Sequence, residues 1–357
     1  MASLPLAAQI DAQIRATGPM SLATYMSLCL GHPRHGYYAK GRPIGAAGDF
    51  ITAPEISQMF GELVGLFAVN LWQQMGQPTS FTLLELGPGS GTLMADALRA
   101  AARAEGFIDA MHLQLFDSNP DLKAEQLKRL GKFNPYWTTE IDAVSEDSII
   151  VIANEFFDAL PIRQFVRTDD GWHERLIGLI EDQRAFGLSP TPIADSAAPP
   201  EVRGAFAGEI LELGAAAVEA MQRLSHKIAL QGGALLGIDY GYDRTQTGET
   251  LQAVRDHAFA DSLDAPGETD LSAHVNFGLF GEAAKAKGLE IEGPAPQGEF
   301  LLRLGLGERA KALATANPGE AANIARAVER LTSPAQMGTL FKVLCAHSPG
   351  LKPLGFR

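Results

Sequence analysis

Cysteine is nearly absent: only Cys29 and Cys345 occur in 357 residues, each within an apolar run. That excludes a disulfide framework and a CxxC metal site, and two lone thiols suit a reducing compartment. Basic charge is also scarce. Lys and Arg number 29 against 42 Asp and Glu, a formal net charge of −13. Nucleic acid is therefore not an expected partner, because phosphate neutralisation needs clustered cations. The acidity fits a basic partner or simple solubility. Long apolar runs are missing too. The uncharged stretch 16–33 carries Gly18, Pro19, Ser21, Thr24, Gly31 and Pro33, too polar and broken for membrane insertion. The start, MASLPLAAQIDAQIRATG, has no basic n-region followed by a long apolar segment and is not Arg-rich. Neither a signal peptide nor a transit peptide is expected. No metal is expected either: His32 and His35 form only a loose HxxH, HExxH is absent, and His274 stands alone, which suits packing or capping.

What is present is a 46% hydrophobic chain with alternating strand and helix patterns from residue 80 onward. Before that, two short helices flank Thr17-Gly18-Pro19. A long glycine-rich loop at 31–50 carries adjacent Tyr37 and Tyr38, and such loops tend to be functional. A helix follows, with Thr52 and Glu55 spaced as a capping box, Pro54 in the first turn, and apolar residues through Ile56, Phe60, Leu63, Val64 and Phe67. Then come strand 81–86, helix 92–105, strand 113–117, helix 120–130 and strand 148–154, the pattern of a parallel sheet covered by helices. The alternation pauses at 162–166 and 172–180, which flank Asp169-Asp170-Gly171 as a β-hairpin. Residues 189–204 read as an exposed loop. Helix 209–230 and strand 234–240 resume the pattern, 241–270 is irregular, helices follow near 271–288 and 299–331, and 340–347 reads as a closing edge strand.

The stretch LLELGPGSGTL (83–93) places a glycine turn directly after the first strand of this pattern. Amides at such a turn and at the next helix N-terminus attract an anionic group. The dinucleotide fingerprint G-x-G-x-x-G fails because Thr92 stands at its last position; the spacing is Gly87-x-Gly89-x-Gly91. Glu85 discriminates further. A carboxylate beside a pyrophosphate is repulsive at low dielectric, whereas S-adenosylmethionine has no phosphate and carries an ammonium and a sulfonium. The pattern therefore favours S-adenosylmethionine over a nicotinamide dinucleotide. Asp117, at the end of the second strand, is positioned to accept the ribose hydroxyls; it otherwise caps the turn at Ser118-Asn119-Pro120. Ser90 is not a hydrolase nucleophile, since G-x-S-x-G would need glycine where Pro88 and Thr92 stand.

A second constellation, ANEFFDALPIRQF (153–165), follows the most apolar strand. Asn154, Glu155 and Asp158 gather at its carboxyl end, where open α/β sheets place their sites. Phe156 and Phe157 are placed to flank a planar group, and acids beside aromatics suit a guanidinium or ammonium acceptor. The alternative is that Asp158 caps the next turn and Glu155 pairs with an Arg. IDYGY (238–242) brings Asp239 and Tyr240 to the same crevice; the Tyr240 hydroxyl either positions an acceptor or packs beneath the loop.

These strings, with GPMSLATYMSLCLGHPRHGYY, GDFITAPEISQMFGEL, GETLQAVRDH, DLSAHVNF and LFKVLCAHSP, run in order through nearly the whole chain. Together they resemble the MidA/NDUFAF7 family of S-adenosylmethionine-dependent methyltransferases. Ser90, where that family commonly has Arg, and Asn276, where Asp is common, depart from the pattern without removing a backbone amide. The resemblance implies a class I methyltransferase fold, an α/β Rossmann-like seven-stranded sheet with a reversed last strand and an added helical and hairpin portion over the crevice. It implies protein arginine methylation of a core subunit of NADH dehydrogenase, respiratory complex I, during assembly. A bacterial cytoplasmic location, equivalent to the mitochondrial matrix, and a homodimer are further expectations. It places Gly48 to Pro54, with Thr52 and Pro54, near the cofactor. Cofactor contacts are expected from Glu85, Gly87, Gly89, Gly91, Thr92, Asp117, Asn154, Thr52 and Pro54, and catalytic contacts from Asn154, Glu155, Asp158, Asp239 and Tyr240. The expected organisation is an N-terminal helical and lid segment (1–75), the Rossmann-like domain (76–160 and 206–245) interrupted by a hairpin and loop insertion (161–205), a helical substrate-side region (246–335), and a closing strand and tail (336–357). Two other classes stay open: a non-catalytic assembly chaperone that keeps S-adenosylmethionine as a structural ligand, and an NAD-dependent dehydrogenase, disfavoured by Glu85 and Thr92.

Overall fold

Neighbouring residues of the central strands face opposite sides of one sheet, as the period of two demands. The computed structural model of the protein describes residues 5–40, 52–145 and 147–356. Seven strands form the main sheet: β1 (Phe81–Leu86), β2 (Met111–Phe116), β3 (Tyr136–Thr138), β4 (Ile149–Asn154), β5 (Gly233–Tyr242), β6 (Glu290–Pro296) and β7 (Phe341–His347). Their spatial order is 3-2-1-4-5-7-6. Strands β3, β2, β1, β4 and β5 are parallel, and β7 runs antiparallel to both of its neighbours. The two-residue strand Val275–Asn276 adds in parallel to the end of β5.

Leu83, Ile150, Ile152, Leu236, Val343 and Cys345 face one apolar layer, built with α1 (Gln58–Gln74) and α2 (Thr92–Ala101). Leu84, Val151, Leu235, Leu344 and Ala346 face the other, built with α4 (Ala215–Gln231) and α5 (Phe277–Lys285). The remaining covering helix of the parallel half, α3 (Pro120–Leu130), is capped by Asn119, whose side chain accepts from the amides of Asp121 and Leu122. Helices α1 and α2 cross so closely that a Cβ on Gly65 would lie 2.2 Å from the Ala97 carbonyl oxygen.

The inserted parts form two smaller sheets. The hairpin Arg163–Thr168 and Gly171–Ile180 pairs as expected and is flanked by Ile210–Leu213, Met20–Ser21 and Gln183–Leu188. Gln252–Arg255 pairs with Ala258–Phe259 and Asp270–Ser272. The N-terminal helices Leu6–Thr17 and Leu22–Gly31 pack beneath them in a third apolar cluster with Ile162, Ile177 and Leu271.

Four expectations are corrected. Residues 210–213 form a strand, not the first turn of a helix, because Gly214 separates them from α4 and Arg163–Thr168 supplies a partner. The 241–270 stretch contains two strands. The last strand is not at the edge: β7 is inserted between β5 and β6, and β6 is the edge. The capping box is not made. Thr52 caps only the four-residue helix Ala53–Ile56 and makes no side-chain cap hydrogen bond. The chain is extended at Ser57, whose hydroxyl accepts from the Met59 amide to start α1.

Candidate active site

The carboxyl ends of β1, β2, β4 and β5 converge, as the register Leu86–Phe116, Leu86–Ala153 and Ile238–Asn154 shows. After β1 the chain turns through three left-handed glycines, Gly87 (φ +62°), Gly89 (φ +52°) and Gly91 (φ +82°). A Cβ on Gly87 would approach Phe156 Cδ2 to 3.0 Å, so the position needs glycine for both conformation and space. The Gly87 amide donates to the Phe116 carbonyl and that of Gly91 to Pro88. Among the described residues, the Gly89 and Ser90 amides have no hydrogen-bond partner. The contribution of Gly87 and Gly91 is thus conformational, and the free donors lie between them.

Glu85 is 3% exposed, and its Oε2 has no hydrogen-bond partner. Burial, with the nearby Asp117 charge, pushes its carboxyl up to about 8. A buried carboxylate oxygen without a protein partner can accept a ligand's donor. Asp117 is raised by burial and eased by its hydrogen bonds. Its Oδ1 accepts from the Asn119 amide at 2.8 Å and its Oδ2 from Gln126 Nε2 at 2.7 Å. It therefore does cap the turn, while each oxygen keeps a lone pair for a hydroxyl. The Thr92 and Ser90 hydroxyls bond each other at 2.9 Å, and the Arg129 guanidinium donates to both. Ser90 Oγ also donates to Glu55 Oε1 at 3.1 Å, which joins the short helix after Thr52 to the glycine turn.

The second constellation is held in a strained turn. Glu155 has φ +49°, unusual for a residue with a side chain and typical of functional sites. Its amide donates to the Ile238 carbonyl, continuing the sheet ladder for one residue. Its Oε1 accepts from the Ala53 amide and from Asn154 Nδ2, both at 3.1 Å. This bond brings the Thr52-Ala53-Pro54 segment to the acids; Gly48 to Ile51 lie outside the described residues. Burial and the neighbouring Asp158 charge push Glu155 up to about 7. Burial raises Asp158 to about 6, opposed by the Tyr240 hydroxyl against its carboxylate. Asp158 Oδ1 and Asn154 Oδ1 are buried without hydrogen-bond partners.

Asp239 has a different part. It is fully buried; its Oδ2 accepts from the amides of Phe157 (3.0 Å) and Asp158 (3.2 Å), and its Oδ1 from Tyr240 N (3.0 Å). Burial and the charges of Asp158 and Glu155 raise it well above the usual carboxylate range. Its carboxylate shapes the 155–158 turn from below. Tyr240 is 8% exposed, with its ring edge-on to His274 and Phe341 and its hydroxyl facing Asp158 and Ser272. Phe157 turns into the core against Phe280, whereas half-buried Phe156 stays beside the glycine turn. His274 and His32 pack and cap: His32 Nδ1 accepts from the amides of Arg34 and His35. Asn276 caps α5 by accepting from the Leu279 amide. Among the described residues no metal-binding group of His, Cys, Asp and Glu occurs.

Two residues of the site have no role assigned from the sequence. Tyr38 places its hydroxyl 3.3 Å from Asp270, near Asp158, and its carbonyl accepts from Asn119 Nδ2. Gln126 lies fully buried beneath the glycine turn. Its signal was a polar residue one turn before Leu130 on the buried face of α3.

The strand order with an inserted antiparallel strand, and a glycine turn with an acid at its entrance, define a class I methyltransferase. Residues 63–295 match the family described as "Putative S-adenosyl-L-methionine-dependent methyltransferase", and the chain belongs to that family. It is 34% identical to protein arginine methyltransferase NDUFAF7, mitochondrial, of Danio rerio, over 93% of this chain and 84% of the relative. The human protein of the same name is 32% identical over 94% and 82%. Among solved structures, a COG1565 superfamily member from Burkholderia thailandensis bound to S-adenosyl-homocysteine superposes with a TM-score of 0.85. It shares 28% identity, covering 98% of this chain and 93% of that one. S-adenosylmethionine is the methyl donor of this enzyme family, and the lone Glu85 oxygen and free turn amides fit its amino acid end.

Proposed function

We propose that this protein methylates an arginine side chain of another protein, and that the acceptor is a core subunit of NADH dehydrogenase modified during complex assembly. The observation that carries the arginine reading is the acid turn. Glu155 and Asp158 stand at the crevice, with Asp239 beneath them, and none is ion-paired with Lys or Arg among the described residues. Asp158 Oδ1 lacks any hydrogen-bond partner. A planar guanidinium supplies both the missing charge and paired N–H donors. The names of the NDUFAF7 relatives support the same reading, and the family resemblance supports the complex I subunit. The relatives are named mitochondrial, and no described helix is long and apolar enough to cross a membrane; a cytoplasmic bacterial enzyme completes the proposal.

S-adenosylmethionine, when bound, supplies an electrophilic methyl group on its sulfonium. Glu85 and the Gly89 and Ser90 amides would hold the ammonium and carboxylate of its amino acid end, and Asp117 the ribose. Glu155 and Asp158 would orient the acceptor fork and localise its charge, leaving one nitrogen lone pair toward the methyl. Positioning of this kind is worth up to roughly 7–11 kcal/mol in well-oriented systems. An arginine keeps its proton until late, since its pKa exceeds about 12; Glu155 or Asp158 would receive it. Phe156 and Tyr38 would line the crevice and exclude water. Asp239 would act as a positioning residue, through the amides of Phe157 and Asp158.

The test is mass spectrometry of NADH dehydrogenase subunits from cells with the intact gene and from cells expressing only Glu155→Gln. An arginine methylated only in the first supports the proposal. Identical modification in both overturns it, and absence of methylarginine from both removes complex I as the target.

A further inference from the structure

Gln126 is the one fully buried polar side chain of α3, and it touches both halves of the cofactor crevice. Its Nε2 donates to the Gly89 carbonyl at 2.8 Å and to Asp117 Oδ2 at 2.7 Å. Its Oε1 accepts from Trp137 Nε1 at 2.6 Å, which fixes the amide against a flip. Two donors and one acceptor in a plane are what a primary amide offers; Glu lacks the donors and Lys lacks the acceptor. The bond to Gly89 has a directional consequence. A trans peptide points its carbonyl and the following N–H in opposite directions. Holding the Gly89 carbonyl against α3 therefore turns the Ser90 N–H away from α3, the side on which a ligand can meet it. The bond to Asp117 fixes one carboxylate oxygen and leaves its remaining lone pair directed away from α3.

We propose that Gln126 is a positioning residue for the methyl donor, fixing the glycine turn and the ribose-facing carboxylate in one relation so that both ends of the ligand are read together. This rests on the reading of Asp117 as the ribose acceptor. No other residue of the described structure bonds both groups. Trp137, from β3, extends the same device to the sheet edge.

The experiment compares affinities for S-adenosylhomocysteine and its 2′-deoxy analogue, measured calorimetrically for the full chain. The wild type should prefer the ribose form by about tenfold or more, the value of a hydrogen bond to a charged group. Gln126→Met fills similar volume without the amide; its preference should fall below about threefold, beyond any general loss of affinity. A preference kept at the wild-type ratio, even with a lowered melting temperature, makes Gln126 merely structural and overturns the proposal. No preference in the wild type overturns the ribose role of Asp117 and the proposal with it. Should Gln126→Met not fold, Gln126→Glu keeps the shape and places a second carboxylate beside Asp117. It cannot donate to the Gly89 carbonyl and to Asp117 together, so its ribose preference should likewise fall below about threefold. A preference kept at the wild-type ratio overturns the proposal.

Discussion

Replacing Glu85 by Gln should make the free protein more stable and its cofactor binding weaker, in a pH-dependent way. The carboxyl is 3% exposed, one oxygen has no partner, and its pKa lies at about 8 instead of 4.5. The difference corresponds to about 5 kcal/mol of preference for the neutral form in the folded state, an upper bound because water entry relaxes buried charge. Because the folded pKa is raised, the stability from the neutral carboxyl is fully present below pH 4.5 and is lost as pH rises to about 8. Gln has no such loss. Melting temperatures of the two proteins should coincide near pH 4.5 and diverge toward pH 8.5, with Glu85→Gln higher. Ligand binding reverses the order. An ammonium is attracted only to the ionised carboxylate, so wild-type affinity for S-adenosylhomocysteine should rise up to about tenfold per pH unit from pH 6 toward 8. Glu85→Gln should be flat and, at pH 8, about 10–100-fold weaker, the value of one charge-assisted hydrogen bond. Calorimetric titration reads both. A flat wild-type profile, or equal affinity at pH 8, would refute the ammonium contact.

Three further outcomes follow from the same geometry. Gly87→Val should abolish measurable binding of S-adenosylhomocysteine, since a β-branched residue at φ +62° costs about 1–3 kcal/mol and its Cβ meets Phe156 at 3.0 Å; tight binding by calorimetry would contradict the turn assignment. Gly65→Ala should lower stability by about 1–3 kcal/mol in urea titration, because the new methyl strikes the Ala97 carbonyl where α1 crosses α2. Methylation rate at saturating cofactor should rise from pH 6 to about pH 8 and then level, as Asp158 and Glu155 ionise to hold the cationic acceptor; a rate flat or falling over that interval would exclude them.

Much of this was legible because it is local. The acid and three glycines of LELGPGSG sit within one strand-turn-helix unit, where sequence spacing fixes geometry, and the ANEFFDALP acids follow one strand directly. What was not legible is non-local. The place of β7 between β5 and β6 depends on pairings made across the chain. Ile210–Leu213 is a strand only because a distant hairpin offers its edge, overriding the helical character of the following residues. Asp239 and Glu155 look alike in sequence as acids after apolar strands. They differ because the Phe157 and Asp158 amides turn onto Asp239, while Glu155, at positive φ, accepts from the Ala53 amide and Asn154. The Phe pair divides in the same turn, Phe156 to the crevice and Phe157 to the core. Gln126 reads as one more polar helix residue until α3 is laid under the glycine turn.

The central claim is that one crevice holds the methyl donor by the glycine turn and the arginine acceptor by the acid turn. Glu155→Gln separates the two. Purified wild type and variant are titrated with S-adenosylhomocysteine, then incubated with S-adenosylmethionine and the purified NADH dehydrogenase core subunit, and the subunit's mass is measured. The account predicts cofactor affinities within about threefold of each other, since Glu155 bonds neither the glycine turn, Glu85 nor Asp117, and an added methyl mass on arginine with wild type alone. Equal methylation by both proteins, or parallel loss of cofactor binding and methylation in the variant, would contradict it.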